Sequence, residues 1–166
     1  MPSSHRDFLP IALGTFALVT GFGILNDQAI VAIAPSHFTV YHPHYFPFQA
    51  PWLLALCFAV VATGGPGLAW GIVLYWAGHY GPGPVIGPRA TLSGVAVVIL
   101  LTVIAAWSLG WKVHGTGQPL YPRFFYPTDD QALFITQTVQ LTNDLVGLAG
   151  AFTWLLAIAI YRKIKA

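Results

Sequence analysis

Glutamate is missing from this chain altogether, and only 7% of its 166 residues carry charge. A water-soluble domain is typically about one quarter charged, so a soluble globular protein is excluded. Cysteine is nearly absent as well. A single residue, Cys57, allows no internal disulfide, no Cys-x-x-Cys redox pair and no cysteine-based zinc site. We read it as a small buried hydrophobe. The only methionine is Met1, and no histidine stands near the middle of an apolar run, so the facing axial ligands of a haem held across a bundle are missing. Without glutamate there is no His-Glu-x-x-His metalloprotease motif. A Walker A loop, an intramembrane Ser and His pair and the paired aspartates of a membrane phosphotransferase are also lacking. These gaps weigh against catalysis. The net charge is +2, from basic residues spread along the chain, which excludes a nucleic-acid surface.

What fills the chain is apolar: 56% of residues are hydrophobic and the mean hydropathy is +0.68. Four runs reach the roughly 18 to 20 residues that a helix needs to cross hydrocarbon: 8–34, 51–78, 90–111 and 131–161. The expected fold is therefore an all-α polytopic membrane protein, one domain over 1–166, built as a four-transmembrane-helix bundle. Counting Lys and Arg by loop sets the orientation, because cytoplasmic loops retain positive charge. With the N-terminus inside, Arg6, Arg89, Arg162, Lys163 and Lys165 are cytoplasmic, and only Lys112 and Arg123 lie opposite. An N-in, C-in topology follows, and a bacterial plasma membrane is the expected setting. The first run ends in Ala32-Ile33-Ala34, which has the small residues of a signal-peptide cleavage site. It is longer than a usual signal core and Asn26 and Asp27 interrupt its end, so we read it as a retained helix.

The two connections on the non-cytoplasmic side are dense in proline and aromatic residues, from Pro35 to Phe48 and from Pro119 to Pro127. Proline fixes φ and aromatics favour the headgroup zone, so both should be ordered, on the bilayer or against each other. A turn-rich segment from Gly78 to Arg89 should join the second and third helices as a hairpin. Thr128, Asp129 and Asp130 are placed to cap the last helix.

Asp144 is the residue that most needs a role. It falls at roughly mid-span in the last run, where a carboxylate exposed to lipid costs about 2.5 to 3.5 kcal/mol, so it should face protein or water. Thr136, Gln140 and Asn143 fall at i, i+4 and i+7, and Gln137, Gln140 and Asp144 at i, i+3 and i+7, which makes a polar stripe. Gly147, Gly150 and Ala151 continue it with small residues that permit close helix approach. In the second run, Gly64-Gly65-Pro66-Gly67 predicts a kink or break, because Pro66 has no N–H to donate. Asp144 and Gly64 each lie 13 positions into their runs, about 20 Å at 1.5 Å per residue. The sequence thus predicts a polar site near the midplane in which Asp144, Asn143 and Gln140 face Gly64, Gly65 and Pro66, with the second and fourth helices packed through glycines.

A weaker pattern is His37-x-x-x-x-His42-x-His44, with His114 expected on the same side. Neutral imidazoles at this spacing are candidate ligands for copper or zinc, although no cysteine or carboxylate completes the set apart from Asp27. No other cofactor is indicated. The leading functional expectation is a non-catalytic oligomeric or accessory subunit of a membrane complex, whose partners are the bilayer and a membrane protein or a second copy of the chain. The alternative is a small carrier or channel in which Asp144 and the Gly64 to Gly67 kink bind a proton, cation or small polar ligand. A metal-binding membrane protein using the outer-loop histidines is the second alternative.

Overall fold

A computed structural model describes residues 4–166. The fold is all-helical, with α1 (Ser4–Ile33), a single-turn α2 (Ser36–Thr39), α3 (Pro51–His79), α4 (Pro88–Thr116), a 3₁₀ turn at Arg123–Phe125 and α5 (Gln131–Ile164). Four of these helices are long and apolar enough to cross a membrane. They run for 29 to 34 residues, about 44 to 51 Å, whereas hydrocarbon is about 30 Å thick. Hydropathy marks only the part of a helix that lipid can surround. That is why α1 begins earlier than the apolar run, α4 continues past Lys112 to Thr116 and α5 reaches Ile164.

Helix starts follow local chemistry. Pro51 and Pro88 occupy the first turns of α3 and α4, where a missing N–H is harmless. Asp130 caps α5 by accepting from the Ala132 N–H at 2.9 Å. Of the three residues expected to cap, Asp129 instead pairs with Arg123. Thr128 accepts from the Asp130 N–H.

The long helices associate as two pairs, α1 along α3 and α4 along α5, with thinner contact between the pairs. This corrects the expectation that the glycines of α3 would face α5. A Cβ on Gly71 would come within 2.8 Å of the Ala12 backbone, and one on Gly67 within 3.1 Å of Val19, so these glycines set the approach of α3 to α1. On the other pair, a Cβ on Gly150 would meet Val98 at 2.8 Å. Nor is α3 broken at its Gly-Pro segment: it runs unbroken from Pro51 to His79 with Pro66 inside it.

The aromatic connections fold back onto the helices. Phe46 and Phe48 stack at 5.4 Å and pack against a core of Ile30, Phe38, Leu54 and Phe58. The Tyr126 hydroxyl receives the Leu120 and Tyr121 N–H groups and bonds Thr138 of α5, while Tyr121 bonds Thr142. At the opposite end, the buried Arg162 guanidinium donates to four carbonyls, those of Ala77, Tyr80, Gly81 and Pro84. The hairpin there needs Gly83, whose φ of +101° is unfavourable for other residues and whose missing side chain leaves room for the Arg162 backbone.

Candidate intramembrane cavity

Because the two helix pairs meet loosely, a cavity of about 420 Å³ remains between them, lined by all four long helices. Three of the residues singled out in the sequence, Gln140, Asn143 and Asp144, come to it on one side of α5, and Pro66 comes to it from α3. Pro66 offers no N–H to the Ala62 carbonyl one turn earlier, and Ala62 lines the same cavity. Gly64 and Gly65 do not reach it. Gly64 is buried against Phe16 of α1, and Gly65 has nothing within 4 Å of its side-chain position. The reason is helical spacing: successive residues point about 100° apart, so Pro66 and Gly67 reach the cavity while Gly64 and Gly65 point elsewhere.

Sequence reading passed over the other half of the site. Asn26 and Asp27 of α1, read as an interruption of the first run and, for Asp27, as a possible companion of the histidines, line the cavity too and are buried, at 6% and 8% exposure. The Asn26 amide donates to the Asp27 carboxylate at 3.3 Å, and Asp27 lines the same cavity as Asp144. The available signal was Asp27 itself, the second carboxylate inside an apolar run.

The expected polar stripe divides into two faces. Thr136 turns away from the cavity and, with Thr138 and Thr142 outside the stripe, holds the connecting loops, the three acting through His37, Tyr126 and Tyr121 respectively. Gln137 lines a second cavity, of about 270 Å³, under those loops. Gln140, Asn143 and Asp144 face the first one, and Gly147 and Ala151 continue the lining beyond them.

Among the residues that line the main cavity, four side-chain atoms are buried and have no partner: Asn26 Oδ1, both side-chain atoms of Asn143, and Trp154 Nε1. Buried polar groups are normally satisfied, and each one left unpaired costs about 1 to 3 kcal/mol. The walls are otherwise apolar and aromatic, with Phe22, Trp70 and Trp154 among them. Such a space suits a ligand with an apolar or cationic body and hydrogen-bonding groups at one end.

Depth along the helices can be compared with the basic ends. Asp144 precedes Arg162 by 162 − 144 = 18 positions, about 27 Å, and Asp27 follows Arg6 by 27 − 6 = 21, about 32 Å. Asp144 stands 13 positions into α5 and Asp27 six positions before the end of α1, so both carboxylates lie on the aromatic-loop side of their helices' centres.

The four histidines proposed as metal ligands do not gather. Among the described residues no three His, Cys, Asp or Glu side chains lie close enough to hold a metal together. His44 and His114 are exposed, the latter beside Trp111. Only His37 and His42 are neighbours, with ring centres 5.1 Å apart. Burial, reinforced by His42, pushes the His37 pKa down from 6.5 to about 4. No family model, no curated protein and no solved structure matches the chain.

Proposed function

We propose that this chain is a membrane-embedded carrier or binding protein whose cavity takes a small cationic solute, with Asp27 and Asp144 as its counter-charges. One observation carries the reading: two carboxylates, Asp27 and Asp144, line a single cavity together with Asn26, Asn143 and Trp154, whose polar atoms lack partners. A cation answers the negative charge, its N–H or hydration hydrogens answer the oxygens, and the faces of Phe22, Trp70 and Trp154 favour positive charge. In the proposed orientation Arg162 and Lys163 are cytoplasmic, in a bacterial plasma membrane.

Thermal stability of the detergent-purified chain tests this, with sodium, methylammonium and tetramethylammonium chlorides compared at matched ionic strength. At 100 times its Kd a ligand stabilises by about 2.7 kcal/mol, so saturable stabilisation by at least one cation is expected. It should be lost in both Asp27→Asn and Asp144→Asn. Equal curves for the three salts, or variants responding like the parent, would overturn the reading.

The exposure of Asp144 favours a second reading. It stands on a face of α5 with Leu145, Leu148 and Phe152, each more than half exposed, where a partner protein or second copy would cover the carboxylate. In that case Asp144→Asn changes the oligomeric state in mild detergent and leaves the cation response alone.

A further inference from the structure

The main cavity is not uniform along its length. Because α1 and α4 run toward the aromatic loops and α3 and α5 run away from them, the order of lining residues along each helix gives their order along the cavity. Asn26 and Asp27 of α1 and Gln140, Asn143 and Asp144 of α5 gather at the loop end. Val19, Trp70, Val95 and Trp154, one from each long helix, close the opposite end. Trp154 stands 154 − 144 = 10 positions beyond Asp144, about 15 Å, and Val19 stands 27 − 19 = 8 positions before Asp27, about 12 Å. The two lining threonines, Thr63 and Thr102, donate to carbonyls of their own helices, those of Ala59 and Val98. The cavity is thus long, with charge at one end and apolar walls at the other.

Both tryptophans of the apolar end are held in place. Trp70 meets Phe152 edge-on with ring centres 5.9 Å apart, and the Trp154 indole lies on α4 at Gly94, where a Cβ would overlap it. The exposed members of the lining belong to two helices only: Ala62 and Pro66 on α3, Asp144 and Leu148 on α5. Each pair is one turn apart, so two parallel edges frame a mouth between α3 and α5. That flank meets acyl chains when the four helices span a membrane, so a ligand with an apolar tail can reach the site from the bilayer.

A small cation held at the carboxylates leaves most of the far end unfilled, and a space of about 420 Å³ is large enough for an organic ligand. An apolar chain that replaces water there gains about fourfold in affinity per buried methylene. We propose that the ligand is an amphiphilic organic ammonium, with its head at Asp27 and Asp144 and its apolar tail running to Trp70 and Trp154. This rests on the cation reading above and adds the tail to it.

Tetramethylammonium and octyltrimethylammonium share a head and differ in the tail. Their affinities for the detergent-purified chain, read by thermal stabilisation at one fixed detergent concentration, test the proposal. The octyl compound should bind at least tenfold more tightly. Ala151 lies two turns beyond Asp144 in the lining, so Ala151→Phe fills the path of the tail and should remove that advantage while leaving tetramethylammonium unchanged. Trp70→Ala should reduce the advantage at least threefold, and it decides if Ala151→Phe does not fold. Asp27→Asn should weaken both compounds. Uptake by micelles is the same for parent and variants, so the difference between them reports the cavity. If tetramethylammonium binds and the octyl compound binds no more tightly, the tail is refuted and the cation reading stands. If neither binds, the proposal falls, and sodium and methylammonium decide the cation reading. An octyl advantage that survives both Ala151→Phe and Trp70→Ala puts the tail outside the cavity and overturns the proposal.

Discussion

Removing the Arg162 side chain tests how the two helix pairs are joined. The guanidinium donates from Nη1 to Ala77 and Tyr80 at 2.6 Å each, from Nη2 to Gly81 at 3.0 Å and from Nε to Pro84 at 3.0 Å, with the residue only 4% exposed. It thus carries positive charge to the C-terminal end of α3, where the last carbonyls have no helical partner. Four hydrogen bonds to a charged group, at about 1.5 to 3 kcal/mol each, give a nominal loss of about 6 to 12 kcal/mol. Tyr80, Gly81 and Pro84 are exposed residues whose carbonyls regain water once the side chain is gone. The expected loss for Arg162→Met is therefore about 3 to 5 kcal/mol, the range for removing one partner of a buried charged contact. Arg162→Lys keeps the charge without the planar fork and should lose about half as much. The assay is equilibrium unfolding in mixed micelles of dodecyl sulfate and a mild detergent, with proteolysis of the 80–87 hairpin as a local readout. A loss below about 1 kcal/mol in Arg162→Met, with the hairpin still protected, would refute the idea that these bonds secure α5 to α3.

Two further tests follow from packing and burial. Gly71→Ala places its Cβ 2.8 Å from the Ala12 backbone, which cannot yield as a flexible side chain would, so a loss of about 1 to 3 kcal/mol in the same unfolding assay is expected. Gly65→Ala has open space and should be neutral or stabilise by up to about 1 kcal/mol. His37 supplies a pH dependence: a folded pKa of about 4 against 6.5 unfolded favours the neutral ring in the native state, so its contribution is complete above about pH 6.5 and is lost as pH falls toward 4. The shift corresponds to about 3 kcal/mol. Subtracting the pH profile of His37→Gln, which shares every other titrating group, isolates it; parallel profiles from pH 8 to 4 would contradict the assignment.

The helices, their number and the capping of α5 by Asp130 were legible from residue order, because hydropathy over 20 residues and a carboxylate before a helix are local properties. That Gln140, Asn143 and Asp144 share a face follows equally from a 3.6-residue repeat. Partnership between helices was not legible. Gly64, Gly67 and Gly71 announce a close neighbour without saying which one, and the chain chose α1 for them, leaving Gly64 and Gly65 outside the cavity.

Residue order alone therefore determined a chain with too little charge to face water, four helices of spanning length and a costly carboxylate in the last of them. Only the tertiary structure brought Asn26 and Asp27 of the first helix opposite Asp144 of the last, and set His37 beside His42 beneath the loops while leaving His44 and His114 in the open. The physical reason is that a helix fixes which of its own residues point together. Which neighbour they point at is decided by the fit of whole surfaces, and that depends on side chains more than a hundred positions away.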